Sequence, residues 1–236
     1  MAIPLYLAMT AAEISRAAEL PDKTAYMACH FSPYSTGLSG FPDTLPTGSM
    51  LILNDRTPVH GHDPQLIADQ LLQATQDLQI DSLLLDFQRP DNPETAEVAA
   101  AVLKTLSCPV GVSEFYAKDL DCAVFLAPPA LDCPPEMHFS PWKGRELWLE
   151  AALDSACITL TEKGSTYTPL FPPETPVPSH YDPRLFCRYH IALTDSTARF
   201  TLYRTKAELT SLLEEAARLG VTRAIGLYQE LRCATE

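Results

Sequence analysis

Three polar side chains follow short apolar runs, where proteins with parallel sheets usually place their chemistry. Asp86 and Gln88 close the run "DSLLLDFQ", and Glu114 follows "CPVGVS". Two carboxyl groups that meet in one cavity can act as an acid and a base, and their separation decides the course of a hydrolytic reaction. Asp86 with Glu114 is therefore a candidate catalytic pair. Gln88 can orient a ligand through its amide but cannot act as a general acid.

Four further side chains are candidates for holding a ligand. Tyr116 lies just beyond Glu114, Tyr228 lies near the end of the last apolar run, "AIGLYQ", and Glu230 follows it. Glu230 is a second possible carboxyl partner for Asp86. Tyr34 lies in a Gly/Pro/Ser-rich loop. Tyrosines in such places stack on flat ligands such as sugar rings, or else pack at the edge of a core, and both interpretations are open.

The segment "HGHD" suggests a different chemistry. His60 and His62 form an HxH pair like those that open the metal site of some barrel hydrolases. The pair follows the third apolar run by several residues and directly precedes a predicted helix cap at Asp63. The remaining histidines do not fall at the ends of later runs. A solvated loop before a capped helix is the alternative interpretation.

Short apolar runs alternate with segments of helical period along most of the chain. Parallel strands buried on both faces have this nearly continuous hydrophobicity, and helices cover the sheet they form. The runs predicted as strands are "PLYLAM", "AYMACHF", "SMLILND", "SLLLDF", "CPVGVS", "CAVFLA", "ACITLT" and "AIGLYQ". This pattern predicts an α/β fold, a (β/α)8 barrel of the TIM type. The active site of such a barrel lies at the carboxyl ends of its strands.

Two segments interrupt the alternation within a predicted single barrel domain of residues 1–236. Residues 31–48 form a long loop after the second strand, a candidate for shaping a binding surface. Residues 165–204 contain three extended pieces, of which "CRYHIAL" and "RFTLYRT" are predicted to form a hairpin, and we expect a small β insertion there between strands seven and eight. Three helices have clear start signals, which are Asp63 before Pro64, Asn92 before Pro93, and a Thr205–Glu208 capping box.

Composition narrows the classes of partner. The formal net charge is −13, which disfavours binding to nucleic acid or to anionic membranes. We find no glycine-rich phosphate loop and no nucleophile elbow, so no cofactor is predicted. The N-terminus lacks the basic leader of a secretion signal, and the seven cysteines are scattered without a CxxC pair. We therefore expect a cytoplasmic protein with reduced thiols; its oligomeric state stays open.

The run "DSLLLDFQ" resembles the DxxDxDxE motif on the fourth strand of glycoside hydrolase family 18, the chitinase-like barrels. Asp81 matches the first acid and Asp86 the third, whereas Leu84 replaces the second and Gln88 replaces the catalytic Glu. The tail "RFTLYRTKAELTSLLEEAARLGVTRAIGLYQEL" is similar to the closing segment of that family. By this resemblance, Tyr228 stands in for the Trp that floors the sugar site, and Asp81 belongs to the ligand site.

The resemblance implies a glycan or related small ligand at the barrel mouth and a changed chemistry. In that family the Glu protonates the leaving oxygen while the N-acetyl group of the substrate attacks, assisted by the middle Asp and by a Tyr on strand six. Strand six here, "VFLAPPA", ends without a Tyr. A non-hydrolytic or altered carbohydrate-binding protein is thus the leading hypothesis. An active glycosidase that uses Asp86 with Glu114 or Glu230 is the alternative, and a metal-dependent hydrolase with His60 and His62 is a weaker one.

Overall fold

The computed structural model describes residues 3–171 and 174–232. Fourteen strands lie in these residues. They are β1 Leu5–Met9, β2 Thr24–Phe31, β3 Leu38–Ser39, β4 Met50–Asn54, β5 Ser82–Asp86, β6 Val110–Ser113, β7 Ala123–Leu126, β8 Leu147–Ala151, β9 Ser155–Thr161, β10 Gly164–Pro169, β11 His180–Asp182, β12 Cys187–Leu193, β13 Thr197–Tyr203 and β14 Val221–Leu227.

Seven α-helices lie in the same residues. They are α1 Ala11–Arg16, α2 Pro64–Asp77, α3 Pro93–Thr105, α4 Glu114–Ala117, α5 Pro135–Phe139, α6 Lys206–Arg218 and α7 Tyr228–Arg232, with a 3-10 turn at Ser140–Trp142. None of the described helices is long and apolar enough to cross a membrane.

Eight parallel strands close into a ring. Their order is β1-β14-β8-β7-β6-β5-β4-β2, and β1 also pairs with β2, which joins the two ends of the sheet. Helices α2 and α3 each lead from one ring strand to the next, and α6 leads from β13 to the ring strand β14. All three helices pack outside the ring. The predicted α/β fold, a (β/α)8 TIM-type barrel, is confirmed.

The seventh strand of the ring is not the one predicted from the sequence. The predicted strand "ACITLT" lies in β9, which pairs antiparallel with β10 and β13 in a separate sheet. The ring instead uses β8, "LWLEA", which pairs parallel with β7 and β14. Both runs are short and apolar and lie a few residues apart, so hydrophobicity alone could not assign either of them to a sheet.

The β insertion lies between ring strands seven and eight, as predicted. It is a five-stranded antiparallel sheet in the order β10-β9-β13-β12-β11. The hairpin of β12 and β13 is confirmed by its register, in which Ile191 faces Phe200. The sheet begins at Ser155, earlier than the expected 165–204, and residues 172–173 of that expected range lie outside the described residues. The loop of residues 31–48 contains β3, which lies outside the ring and pairs antiparallel with the end of ring strand β2.

The predicted helix starts are present. The Asp63 side chain accepts hydrogen bonds from the backbone of α2, and Asn92 does the same for α3. At α6, the Glu208 carboxylate accepts from the backbone N–H and the hydroxyl of Thr205. Each of these bonds satisfies a donor that the first turn leaves free, which fixes where the helix begins.

Large side chains fill the inside of the ring, so the barrel is a packed core rather than a pore. Tyr6, Met50, Leu84, Phe125 and Trp148 form the bulk of this interior cluster. The filling stops short of the carboxyl ends of the strands, where a cavity opens.

Candidate active site at the barrel mouth

A cavity that is open to solvent lies at the carboxyl ends of the ring strands. Its volume is about 550 Å³ when the solvent at its open mouth is included. Its floor is apolar, with Leu84 and Phe125 among the lining side chains. Its polar lining groups come from three different strand ends and are Asn54, Arg56, Asp86, Gln88 and Glu150. An apolar pocket with a few converging polar groups is the usual form of a small-molecule site.

Strand β5 delivers two of these groups to the same side. Successive side chains of an extended chain alternate between faces, so Leu84, Asp86 and Gln88 point inward while Phe87 is buried among the core residues that cover the ring. The Gln88 amide donates a hydrogen bond to Oδ1 of Asp86. Burial raises the pKa of Asp86, the Gln88 hydrogen bond lowers it, and nearby Asp55 and Arg56 act in opposite directions.

A buried carboxylate fixes the backbone that carries Gln88. Asp55 is 3% exposed and accepts hydrogen bonds from the backbone N–H groups of Gln88 at 3.0 Å and Arg89 at 2.9 Å. Next to it, the Asn54 side chain donates to the backbone carbonyls of Met27 and Cys29. The ends of β2, β4 and β5 are therefore tied together at the cavity rim.

Glu150, on β8, was missed by the sequence analysis. Its carboxyl group lines the cavity, and burial together with the negative charges of Asp86, Asp154 and Glu230 raises its pKa to about 7. The signal was present in "LWLEA", an apolar run with an acid near its carboxyl end. The sequence pattern predicts the ring strand at the adjacent run "ACITLT" instead, which leaves Glu150 outside the predicted strand ends.

The expected partners of Asp86 lie outside the cavity lining. Glu114 opens α4 and is half-buried, but it is not among the lining residues. Glu230, in α7, accepts a hydrogen bond from the backbone N–H of Leu153 and so ties that helix to the segment after β8. Burial raises the pKa of Glu230. The structure thus brings neither carboxyl group into the cavity beside Asp86.

The three tyrosines also lie elsewhere. The Tyr116 hydroxyl donates to the backbone carbonyl of Arg89 and accepts from the backbone N–H of Asn92 at 3.2 Å, so this side chain supports the loop after β5. Tyr228 lies on α7 with the Arg232 guanidinium 5.3 Å from its ring centroid, beside a different surface pocket. Tyr34 is 96% exposed in the long loop.

Asp81 lies at the opposite end of the barrel from the cavity. It immediately precedes β5 and accepts hydrogen bonds from the Tyr6 hydroxyl at 3.2 and 3.1 Å. Arg223 approaches it to 3.4 Å and Lys23 to 3.7 Å. This charged cluster closes the amino-terminal end of the ring, so the structure gives Asp81 contacts of a structural kind.

His60 and His62 have separate partners. His60 Nδ1 lies 3.4 Å from Glu94, and His62 Nε2 lies 3.1 Å from the backbone carbonyl of Ser32. Within residues 3–171 and 174–232, no group of three or more His, Cys, Asp or Glu side chains could hold a metal ion. The six described cysteines carry free thiols, and the seventh, Cys233, lies outside the described residues.

No protein-family model and no curated protein sequence matches the chain. Solved structures do match. A glutamate-to-glutamine mutant of class V chitinase from Nicotiana tobaccum, in complex with NAG4, is 9% identical with a TM-score of 0.60, over 98% of this chain and 94% of that chain. A chitinase-like agglutinin from Robinia pseudoacacia is 10% identical with a TM-score of 0.59, over 94% of each chain.

A third match carries a bound glycan as well. A family 18 chitinase from Cycas revoluta, also with a glutamate-to-glutamine substitution and in complex with (GlcNAc)4, is 11% identical with a TM-score of 0.57. The match covers 96% of this chain and 95% of that chain. At these identities the likeness concerns the fold, and it extends over nearly the whole length of this chain and of each of the three matched chains. The chain therefore has the chitinase-like TIM-barrel fold of glycoside hydrolase family 18.

Proposed function

We propose that this protein binds a glycan at the mouth of its barrel and lacks the acid-catalysed hydrolysis of the chitinases whose fold it has. The observation that carries the proposal is the Gln88 amide, which lines the cavity and donates its hydrogen bond to Asp86. We take Gln88 to stand where those chitinases have their catalytic glutamate. A glutamine there keeps the shape and hydrogen bonding of the site but has no proton for the leaving oxygen.

Known proteins of this fold support binding without hydrolysis. Two chitinases with a glutamate-to-glutamine substitution were solved with bound oligosaccharides, and one protein of the same fold is an agglutinin. A glutamine is thus compatible with a bound glycan in such barrels. The alternative glycosidase is not favoured, because neither Glu114 nor Glu230 lines the cavity beside Asp86.

The test restores a carboxylic acid at position 88 through the variant Gln88→Glu. Isothermal titration of the wild type with N-acetylglucosamine and glucosamine tetrasaccharides measures binding, and release of reducing ends measures hydrolysis. We expect the wild type to bind at least one tetrasaccharide without turnover and Gln88→Glu to gain hydrolysis of the N-acetylated one. A positioned general acid contributes about 10²–10⁴-fold. Because Leu84 leaves the second acid position of the motif apolar, we expect a gain at the lower end, about 10²-fold.

Gln88→Asn serves as the matched control, since it alters the same side chain without adding an acid. Asp86→Asn should weaken binding in the wild-type background. Wild-type turnover equal to that of Gln88→Glu would overturn the non-hydrolytic function. Absence of binding to both tetrasaccharides would overturn the glycan-binding function itself.

A further inference from the structure

The polar side chains that line the mouth cavity differ in whether they already have hydrogen-bond partners within the protein. Asp86 accepts a hydrogen bond from Gln88, and the Asn54 amide donates to two backbone carbonyls. Among the described residues, no hydrogen bond or ion pair reaches the Glu150 carboxyl group, although it is half-buried in the cavity wall. A desolvated carboxyl group without donors is unfavourable, and a bound ligand can relieve it.

We propose that Glu150 determines the ligand class of this cavity by favouring a glycan that carries a protonated amine over its N-acetylated counterpart. The proposal rests on the proposed function, because it concerns the same cavity. It assigns to Glu150 the recognition of an ammonium group and leaves the rest of the sugar to Asp86 and Gln88.

The charges around Glu150 favour a cation. Three elements place carboxyl groups near it, which are β5 with Asp86, the segment after β8 with Asp154, and α7 with Glu230. Each of these groups raises the pKa of Glu150, and burial raises it most, to about 7. A positive ligand group at this point is attracted by Glu150 and by the net negative charge around it.

Neither of the two nearby arginines pairs with Glu150. Arg204 pairs with Asp154 at 3.3 Å and is buried behind it. Arg56 also lines the cavity, and its charge lowers the pKa of Asp86. Neither arginine is a cause of the pKa of Glu150. Among the described residues, no cation therefore pairs with Glu150, and an ammonium can donate up to three hydrogen bonds to such a carboxylate.

An N-acetyl group cannot take this role, because an amide is neutral at every relevant pH. Binding of an ammonium favours the ionised form of Glu150 and lowers its pKa, so binding below about pH 7 releases a proton. Affinity for an amine-bearing glycan should therefore rise between about pH 5.5 and about pH 7.5, as Glu150 ionises. Affinity for the N-acetylated glycan should not rise over this range.

The experiment compares glucosamine tetrasaccharide with N-acetylglucosamine tetrasaccharide by isothermal titration at both pH values, in two buffers of different ionisation enthalpy. At the higher pH we expect the amine form to bind about tenfold more tightly than the N-acetylated form. At the lower pH, where Glu150 is mostly protonated, we expect binding of the amine form to release a proton. Glu150→Gln keeps the shape of the side chain and should remove both the preference and the proton release. Glu150→Asp should retain part of both. Glu97→Gln, an exposed change of equal charge on α3, should alter neither.

The outcomes separate this proposal from the proposed function. Tight binding of the N-acetylated form with no preference for the amine would overturn the role of Glu150 and leave glycan binding intact. An amine preference that survives Glu150→Gln would also overturn it, since the selectivity would then come from other groups. Binding of neither tetrasaccharide would overturn both.

Discussion

Asp86 and Gln88 share one hydrogen bond, and this bond limits what each side chain can offer a ligand. One N–H of the Gln88 amide is committed to Asp86, which leaves its second N–H to donate to a ligand and its carbonyl oxygen to accept from a ligand hydroxyl. A glutamate at the same place would meet the Asp86 carboxylate directly. Two carboxyl groups within hydrogen-bonding distance of each other share a proton, so the pKa of one of them rises strongly. That shared proton is the physical reason to expect acid catalysis in Gln88→Glu.

Glu150 makes folding stability depend on pH. Its pKa is about 7 in the folded protein against an ordinary value of 4.5, so the folded state binds the proton more tightly than the unfolded chain. The resulting stability is fully present below about pH 4.5 and is lost as pH rises towards about 7. Glu150→Gln cannot ionise and should avoid this loss. Urea denaturation across this range should show the mutant gaining stability relative to the wild type as pH rises.

Glu97→Gln is the control for that measurement, because it makes the same change of charge at an exposed position on α3. A constant stability difference between Glu150→Gln and the wild type would show that the Glu150 carboxyl group titrates normally in the folded protein.

At the scale of elements, one ion pair joins the two ends of the β insertion to each other. Arg204 follows β13 and Asp154 precedes β9, and their side chains meet at 3.3 Å. The backbone N–H of Arg204 also donates to the Asp154 carbonyl at 2.9 Å. The Arg204 side chain is fully buried and donates further to the carbonyls of Leu185 and Phe186, whereas that of Asp154 is 37% exposed. The two ends of the insertion and its segment at Leu185 and Phe186 are thereby tied together.

The unequal burial of this pair predicts unequal mutant effects. Asp154→Ala leaves a buried guanidinium without its counterion and should destabilise the protein by about 3 kcal/mol. Arg204→Met leaves a carboxylate that water can reach and an apolar side chain of similar length, so we expect about 1–2 kcal/mol. Urea denaturation of both mutants and of the double mutant measures the difference. Equal losses in the two single mutants would contradict this account of the pair.

At the scale of the whole molecule, closure of the ring limits the total volume of the side chains that point into the barrel. Gly111 on β6 faces Trp148 on β8 across the interior, and a Cβ atom at Gly111 would lie 2.3 Å from the Trp148 ring. Trp148 is fully buried, and its indole N–H donates to Glu146 at 3.0 Å. The indole fills the space that Gly111 leaves, so the two positions are coupled through packing.

Gly111→Ala should therefore destabilise the barrel by about 1–3 kcal/mol through overpacking. Trp148→Phe removes the ring atoms that a new methyl group would strike, at the loss of the indole hydrogen bond. We expect the double mutant to lose less unfolding free energy than the sum of the losses in the two single mutants, as measured by a double-mutant cycle of denaturation experiments. Strict additivity would mean that the two side chains do not compete for the same space.

The predictable part of the site is local in origin. The period of two along a strand follows from backbone geometry, so "DSLLLDFQ" places Asp86 and Gln88 on one face whatever the strand packs against. The same holds for the starts of α2, α3 and α6, because a capping side chain bonds to its own first turn. Cavity residues outside β5 depended on finding every ring strand, and Glu150 was missed together with β8.

By itself, the sequence determined a parallel α/β barrel with a β insertion, and it put Asp86 and Gln88 at the end of one strand. Only the tertiary structure decided that Glu150 joins them, that Glu114 and Glu230 stay outside, and that Asp81 binds Tyr6 at the far end. The physical reason is range. Strand and helix signals arise from neighbours in the chain, whereas membership of a cavity depends on hydrogen bonds between strands distant in sequence and on the closure of the ring.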